Sequence, residues 1–438
     1  MIKEILPISF IISLRFFGLF IVLPVLSVYA LSLDGANEFL VGVTIGGYAL
    51  TQMLLQIPFG MLSDKIGRKV TIAIGLVIFI IGSIICANSS DIYMLMFGRF
   101  IQGAGAIGAV ATAMISDMVK EEVRAKAMAV MGGSIALSFA LSMMIGPFVG
   151  GHYGVDKLFY LTALFSVIAI VILFTKVKNP PKIHHDYDSN PKDIVEILKD
   201  SNLLKMNITN MLQKGMMTLA FLLIPILMLQ KFGYEKSELW KVYLPAMIFG
   251  ILAMAPSAII GEKKHKSKEM LMIGISFFAI SYYLLGHSSS AVLFIVGVVL
   301  FFIGFNIHEP LMQSMASKFA KVHQKGTALG IFNSFGYMGT FIGGIFGGYF
   351  LKNYGIEVIS WIVIAISLLW LVLIASMNNP KIYKNLYLNY TIINLDNAKN
   401  LHDLEGVVEW YKNESEGILV VKYNTKVNSE EDILKVLS

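Results

Sequence analysis

The chain has 438 residues, of which 56% are apolar and only 15% charged, with a mean hydropathy of +0.70. Soluble domains carry about 25% charged and 45–50% apolar residues, so a wholly soluble protein is excluded. The net charge is +6, but the basic residues sit in short breaks between apolar runs, a membrane-topology pattern and not a nucleic-acid surface.

Apolar runs near the roughly 20 residues that cross a bilayer core recur along most of the chain. The first six fall at 6–31, 39–62, 70–88, 91–115, 126–150 and 157–176. The first is longer than the core of a signal peptide, contains Arg15 and is followed by eleven more, so it is read as a retained helix. A break at 177–203, rich in proline and charge, separates this half (1–176) from a second (204–377). The second half holds runs at 204–230, 239–260, 269–286, 291–317, 326–350 and 356–377.

One set of breaks carries most of the lysine and arginine, including Lys65, Arg68, Lys69, Lys120, Arg124, Lys263, Lys264, Lys318 and Lys321. The opposite set carries only Lys157, Lys231, Lys236, Lys241 and Lys352. An excess of about threefold places the first set, and both termini, in the cytoplasm. The single cysteine, Cys86, excludes an internal disulfide, a CxxC redox pair and a thiolate zinc site. A constant shift of 201 residues superposes Pro24 on Pro225, Gly60 on Gly261, Gly103 on Gly304, Ala127 on Ala328 and Gly146 on Gly347. The halves therefore read as an internal repeat, with a solute path expected between them.

After the twelfth run, residues 381–438 turn to alternating patterns. "LYLNYTIIN", "GVVEWYKN" and "GILVVKYN" read as strands, and "DNAKNLHDL" and "NSEEDILKVLS" as helices. The expected fold class is thus an all-α polytopic membrane protein of twelve helices, with a small α+β domain of βαββα, ferredoxin-like order. No cysteine follows the first strand, so no metal is expected there. A partner, a small ligand or the chain's own basic face remain as possible contacts for this tail.

Three segments carry recognisable spacing. "GMLSDKIGRKV" places Gly60, Asp64, Gly67, Arg68 and Lys69 between the second and third runs. "GRFIQGAGAIGAVATAMISD" places Arg99, Gln102 and Gly103 in the fourth run, with Asp117 at its basic end. "GSIALSFALSMMIGPFVGG" places Gly133, Gly146, Pro147 and Gly150 in the fifth. In this order they resemble motifs A, B and C of the major facilitator superfamily. Ser142 departs from the usual glycine of motif C. "LRFFGLFIVLPVL", "YALTQMLLQIPFG", "FNIHEP" and the tail are similar to the YajR-type branch, whose members end in a small cytoplasmic YAM domain. The resemblance implies a proton-driven drug efflux antiporter of the inner membrane. It also implies that Asp64, Arg68 and Asp117 gate the path, with Asp64 facing the start of the eleventh helix near Gly326 and Arg68 pairing with Asp117. Gly46 and Gly47 of the second helix, Gly133, Gly146 and Pro147 of the fifth and the glycines of the eleventh are expected to form a sliding surface between the halves.

Charge inside apolar spans is independent evidence, because an ionisable group at the bilayer centre costs about 2.5–3.5 kcal/mol on insertion scales. Arg15, Arg99, Lys214 and Glu309 qualify, with His308 beside the last. Arg15, Lys214 and Glu309 lie very roughly 13–15 Å from the basic ends of their helices, a depth at which they are expected to meet. Glu309 is the expected proton carrier, Arg15 or Lys214 its counter-charge, and His308 a relay. Tyr48, Gln52 and Gln56 form one polar face at helical spacing, and with Asn306 and an apolar lining they are candidates for the cavity. No nucleophile–base pair, phosphate loop or metal cluster is present in the sequence, so neither enzyme activity nor a cofactor is expected. The partners expected are a small-molecule substrate, protons and the lipid bilayer. The alternatives are proton-coupled uptake of a polar solute and a membrane receptor signalling through the tail.

Overall fold

The computed structural model describes residues 2–178, 191–321, 324–380, 383–414, 416–424 and 427–437. Among them, eleven helices or helix pairs are long and apolar enough to cross a membrane. The first half comprises α1 (Ile2–Ile21) with α2 (Leu23–Leu31), α3 (Glu38–Ile66), α4 (Arg68–Ala87), α5 (Ile92–Ala104) with α6 (Gly108–Met118), α7 (Glu121–Tyr153) and α8 (Val155–Thr175). Of the connection at 177–203, residues 179–190 lie outside the described set. It ends in the short amphipathic α9 (Pro191–Lys199). The second half follows as α10 (Ser201–Gln230), α11 (Trp240–Ala258), α12 (Ser267–His287), α13 (Ala291–Phe319) and α14 (Lys325–Ala375).

The α14 segment is 51 residues long, about twice what a bilayer core of about 30 Å requires. Gly355, with φ 77° and ψ −179°, breaks its helical path, so α14 supplies the eleventh and twelfth crossings. Gly154, with φ 98°, likewise joins α7 to α8 with no further residue between them. Both angles lie where a Cβ is strained, which is why glycine stands at each. The two glycines are related by the same 201-residue shift as the other repeat landmarks.

Within each half, the fifth crossing packs on the first through small residues. A Cβ on Gly146 of α7 would lie 2.1 Å from the Ile21 carbonyl oxygen of α1. Above it runs a ladder: Ser134, Ser138 and Ser142 donate to the carbonyls of Ser9, Ser13 and Phe17 at 3.4, 3.1 and 3.2 Å. Hydroxyls satisfied by a neighbouring helix suit a bilayer, where small residues and interhelical hydrogen bonds do the packing. In the second half, Gly339 and Gly343 of α14 face Met211 and Gly215 of α10, with virtual Cβ distances of 1.9 and 2.5 Å. The departure at Ser142 is thus a substitution of hydrogen bonding for backbone contact.

The sliding surface differs from the expectation in the fifth helix. Gly146 and Gly150 face Ile21, Val25 and Leu158 of their own half, and Gly133 has nothing within 4 Å. The halves meet where α3 lies against α14, and α7 reaches the second half through Gly151 against Ser237 and Phe139 against Phe305. Gly42 lies against Gly344, and Gly348 against Glu38, at 2.1 and 2.4 Å for a virtual Cβ. These contacts cluster toward the face opposite the basic loops, called the far face below. Toward the basic face, Gly60 on α3 and Gly326 and Gly330 on α14 have nothing within 4 Å. The halves are therefore closed at the far face and part toward the basic one.

The tail forms a three-stranded antiparallel sheet of β1 (Tyr383–Asn389), β2 (Val407–Asn413) and β3 (Ile418–Asn424) in the order β1-β3-β2, with α15 (Glu430–Leu437) after it. The first expected helix is a 3-10 segment, Leu395–His402. Its Asp and Asn residues are weak α-helix formers that satisfy the backbone locally. Lys422 of β3 donates to the Ala320 carbonyl at the end of α13 at 3.4 Å. A cavity of about 610 Å³ lies at this junction, lined among others by Lys318, Tyr383 and Lys422. Burial and the neighbouring Lys325 hold the Lys422 ammonium below the ordinary lysine range.

A valine at Gly42 should prevent closure of the far face, because its side chain would occupy the position of the Gly344 carbonyl. Labelling of a cysteine introduced at Phe341 should then rise in Gly42→Val. An unchanged labelling rate would show that the α3–α14 approach does not control access.

Candidate functional site

Three clusters of polar groups lie inside the membrane-spanning bundle, and a fourth lies at its basic rim. The first is an ion pair. Lys214 of α10 donates to Glu309 Oε1 of α13 at 2.5 Å, and Gln213 donates to the same oxygen at 3.1 Å. The side chains are 27% and 34% exposed, so the pair is reachable and is not sealed in the packing. The Lys214 ammonium also lies 5.0 Å from the centre of the Phe305 ring. Three consequences of sequence bring them together: helical spacing turns Gln213 and Lys214 toward α13, Pro310 follows Glu309, and both helices place these residues mid-span.

Arg15 is not part of this pair, contrary to the expectation from depth alone. Its guanidinium lies within the first half, where Nη2 donates to Gln52 Oε1 at 3.2 Å and to the Gly105 carbonyl at 2.9 Å. That carbonyl stands at the break between α5 and α6, where it also accepts from the Ile107 N–H at 2.9 Å. Equal depth did not bring the groups together because Arg15 turns toward α3 and α5. Gln52 in turn donates to the Tyr337 hydroxyl of α14 at 2.8 Å, a bond that joins the two halves. Sequence reasoning missed Tyr337, since one tyrosine in a glycine-rich helix carries no periodic signal.

His308 is likewise turned away from its neighbour. Its Nε2 is 2.9 Å from the Leu271 carbonyl, and its ring meets Phe278 and Trp370 edge-on at 5.4 Å each. Successive residues on a helix point about 100° apart, so adjacency to Glu309 in sequence does not produce contact, and the relay expectation is withdrawn. Asn306 donates to the Phe302 carbonyl of its own helix at 2.8 Å and packs on Gly250. Its amide is occupied there and does not face a cavity. Tyr48 and Gln56 are buried.

Arg99 lies fully buried on the far side of α3, donating to Gln102 at 2.7 Å while Gln102 donates to Ser83 at 2.9 Å. Its guanidinium carbon sits 4.8 Å from the Tyr48 ring centre. Gly103 lets this helix approach α3, with a virtual Cβ only 1.9 Å from the Tyr48 carbonyl.

At the basic rim, Arg68 collects both acids. Its Nε donates to Asp117 at 2.9 Å, and Nη1 to Asp64 and Ser63 at 2.5 Å each. Lys69 donates to the Val177 carbonyl at 2.8 Å, and Gly67 is the shared cap of α3 and α4. The contact expected between Asp64 and the start of the eleventh helix is not made. The Asp64 side chain is 64% exposed and directed to Arg68, because the halves are apart on this face. No group of three or more histidine, cysteine or acidic side chains suited to a metal occurs among the described residues.

Two repeated six-helix halves, an intramembrane ion pair and a polar contact across the halves define a polytopic secondary transporter. A family model for the Major Facilitator Superfamily matches residues 8–337 and 263–385. The chain belongs to that superfamily. It is 33% identical over 427 residues to the inner membrane transport protein YajR of Escherichia coli (strain K12), covering 96% of this chain and 94% of that protein. It is 27% identical over 381 residues to the quinolone resistance protein NorA of Staphylococcus aureus (strain MSSA476), covering 85% and 96%. Among solved structures it is similar in fold to the nucleoside transporter NupG, with a TM-score of 0.70, 14% identity and coverage of 86% and 99%.

Coupling between Lys214 and Glu309 is measurable without any substrate. In detergent, Lys214→Met and Glu309→Gln should each lower the thermal unfolding midpoint, and the double variant should recover part of the loss. A coupling of about 1 kcal/mol or more is expected for a contacting charged pair, whereas strictly additive losses would show that the two groups do not support one another.

Proposed function

We propose that this chain is a proton-coupled antiporter that exports small apolar organic compounds across the inner membrane by alternating access, with both termini in the cytoplasm. The observation that carries the reading is the Lys214–Glu309 pair, a partly exposed carboxylate held in mid-span by one ammonium. Burial makes the charged carboxylate costly and the ammonium offsets that cost, so the group exchanges a proton when either influence changes. A proton arriving on a Glu309 oxygen neutralises the carboxylate and leaves Lys214 without its counter-charge beside Phe305. That imbalance drives the two halves to rock until the proton leaves and the pair re-forms.

Export is favoured by the GPxxGG segment and by the likeness to a quinolone resistance protein. The inner membrane location rests on the similarity to YajR and on the lysine and arginine bias of the loops. The reading assigns residues 1–176 and 204–377 to the rocking halves and residues 381–438 to a cytoplasmic domain. It also assigns Arg68, Asp64 and Asp117 to a latch. With the basic face open, Asp64 is occupied by Arg68; when that face closes, Asp64 turns to the positive end of α14 near Gly326. A tail-signalling receptor draws no comparable support, since it needs no titratable pair inside the second half; an uptake symporter would use the same pair, and export is preferred to it on the GPxxGG segment and the likeness to a quinolone resistance protein.

In acid-loaded everted vesicles supplied with a panel of fluorescent apolar dyes, Glu309→Gln should abolish pH-gradient-driven accumulation. Dye exchange in the absence of a gradient should persist. Undiminished driven accumulation in the variant would overturn the assignment of Glu309.

A further inference from the structure

The ionisable side chains deep in the spans do not balance. Arg15, Arg99 and Lys214 are cations, and the one carboxylate among them, Glu309, is held by Lys214. Arg15 is 1% exposed and Arg99 not at all, and among the described residues neither has a carboxylate within ion-pair distance. Their guanidinium groups are also incompletely satisfied. Arg15 Nε and Nη1, and Arg99 Nε and Nη2, have no hydrogen-bond partner. A buried charge without a counter-charge is costly, and more so inside hydrocarbon. The two arginines differ in what they reach. Arg99 is enclosed by Tyr48, Gln102 and Cys86 within the first half. Arg15 lies one residue from the junction, since Gln52 links it to Tyr337 of the second half.

Beside Arg15 begins a continuous row of aromatic rings. The guanidinium stands 5.4 Å from the Phe16 ring, and Phe16 lies 5.5 Å from Phe20. Phe20 meets Phe139 edge-on at 5.0 Å, and Phe139 meets Phe305 at 5.9 Å. The row crosses from the first half to the second and ends under Lys214. A cation with free donors at one end, rings through the middle and a proton-carrying ion pair at the other end form a path suited to one chemical class.

We propose that the exported compound is an organic anion, a carboxylate on an aromatic or similarly apolar body, with Arg15 as its counter-charge and Phe20, Phe139 and Phe305 receiving the body. This rests on the transport reading above and narrows it to a substrate class. The carboxylate takes the free Nε and Nη1 donors in the side-on geometry that guanidinium offers. Tyr337 is the cover. Its bond with Gln52 closes the junction above Arg15, so parting of the halves at that layer uncovers the guanidinium.

The probes are 2-naphthoate and 2-naphthylmethylammonium, which share one apolar body and differ in charge. Equilibrium dialysis of the detergent-solubilised full chain should show naphthoate bound about tenfold or more tightly than the ammonium, the scale of a hydrogen-bonded charge contact. Arg15→Lys should retain that preference and Arg15→Gln should abolish it. Gln52→Glu supplies an internal carboxylate at the same position and size, so it should also abolish naphthoate binding even if Arg15→Gln fails to fold. Equal or tighter binding of the ammonium, binding of neither probe, or naphthoate binding unchanged in Gln52→Glu would each overturn the proposal. If the ammonium is bound and its transport follows the pH gradient in a Glu309-dependent way, the antiport reading stands and only the substrate class falls.

Discussion

A charge placed in hydrocarbon must find an opposite charge or a set of dipoles, and that constraint organises this protein. The contact between Lys214 and Glu309 at 2.5 Å is its clearest expression. It fixes α10 against α13, brings Gln213 to the same carboxylate oxygen, and sets an ammonium over Phe305. The guanidinium of Arg15 answers the same constraint by donating to the Gly105 carbonyl at the α5–α6 break and to Gln52. Arg99 meets it with Gln102 and the Tyr48 ring, while part of each buried guanidinium is left without a hydrogen-bond partner.

The packing supplies the complementary half of the mechanism. Glycines on α3 and α14 bring two backbones together at the far face, and the same helices separate toward the basic face. Backbone contact of this kind has little intermediate range, since a carbonyl is either in the groove or clear of it. The serine ladder on α1 and α7 and the glycine seam on α10 and α14 instead hold each half together internally. The same residue classes therefore serve both the rigid halves and the interface that opens, and their partners decide which.

Much of this was legible in the sequence because a bilayer enforces simple rules. Span length, the 201-residue repeat and the deep charged residues follow from hydrophobic thickness and the cost of charge, both of which act residue by residue. The Arg68–Asp117 contact was also readable, since its members stand at span ends in a recognised spacing. Direction around a helix was not. Depth suggested that Arg15 would meet Glu309, and adjacency suggested that His308 would serve it. The azimuth of each side chain sent Arg15 to Gln52 and His308 to Leu271. Asp64 was misplaced for a different reason: its expected partner lies across a gap that is open in this arrangement. In the tail, "DNAKNLHDL" has a helical pattern but residues that favour tight local turns, and it winds as a 3-10 segment.

Gly154 and Gly355 carry a mechanical consequence. With a single residue at each joint, the fifth and sixth crossings, and the eleventh and twelfth, form stiff V-shaped struts without slack in a loop. A tilt imposed on one arm is transmitted to the other, so these hairpins have little room to absorb strain. Compliance is left to the interruptions elsewhere: the α1–α2 step at Val22, the α5–α6 gap and the π-turn at Ile259–Lys263.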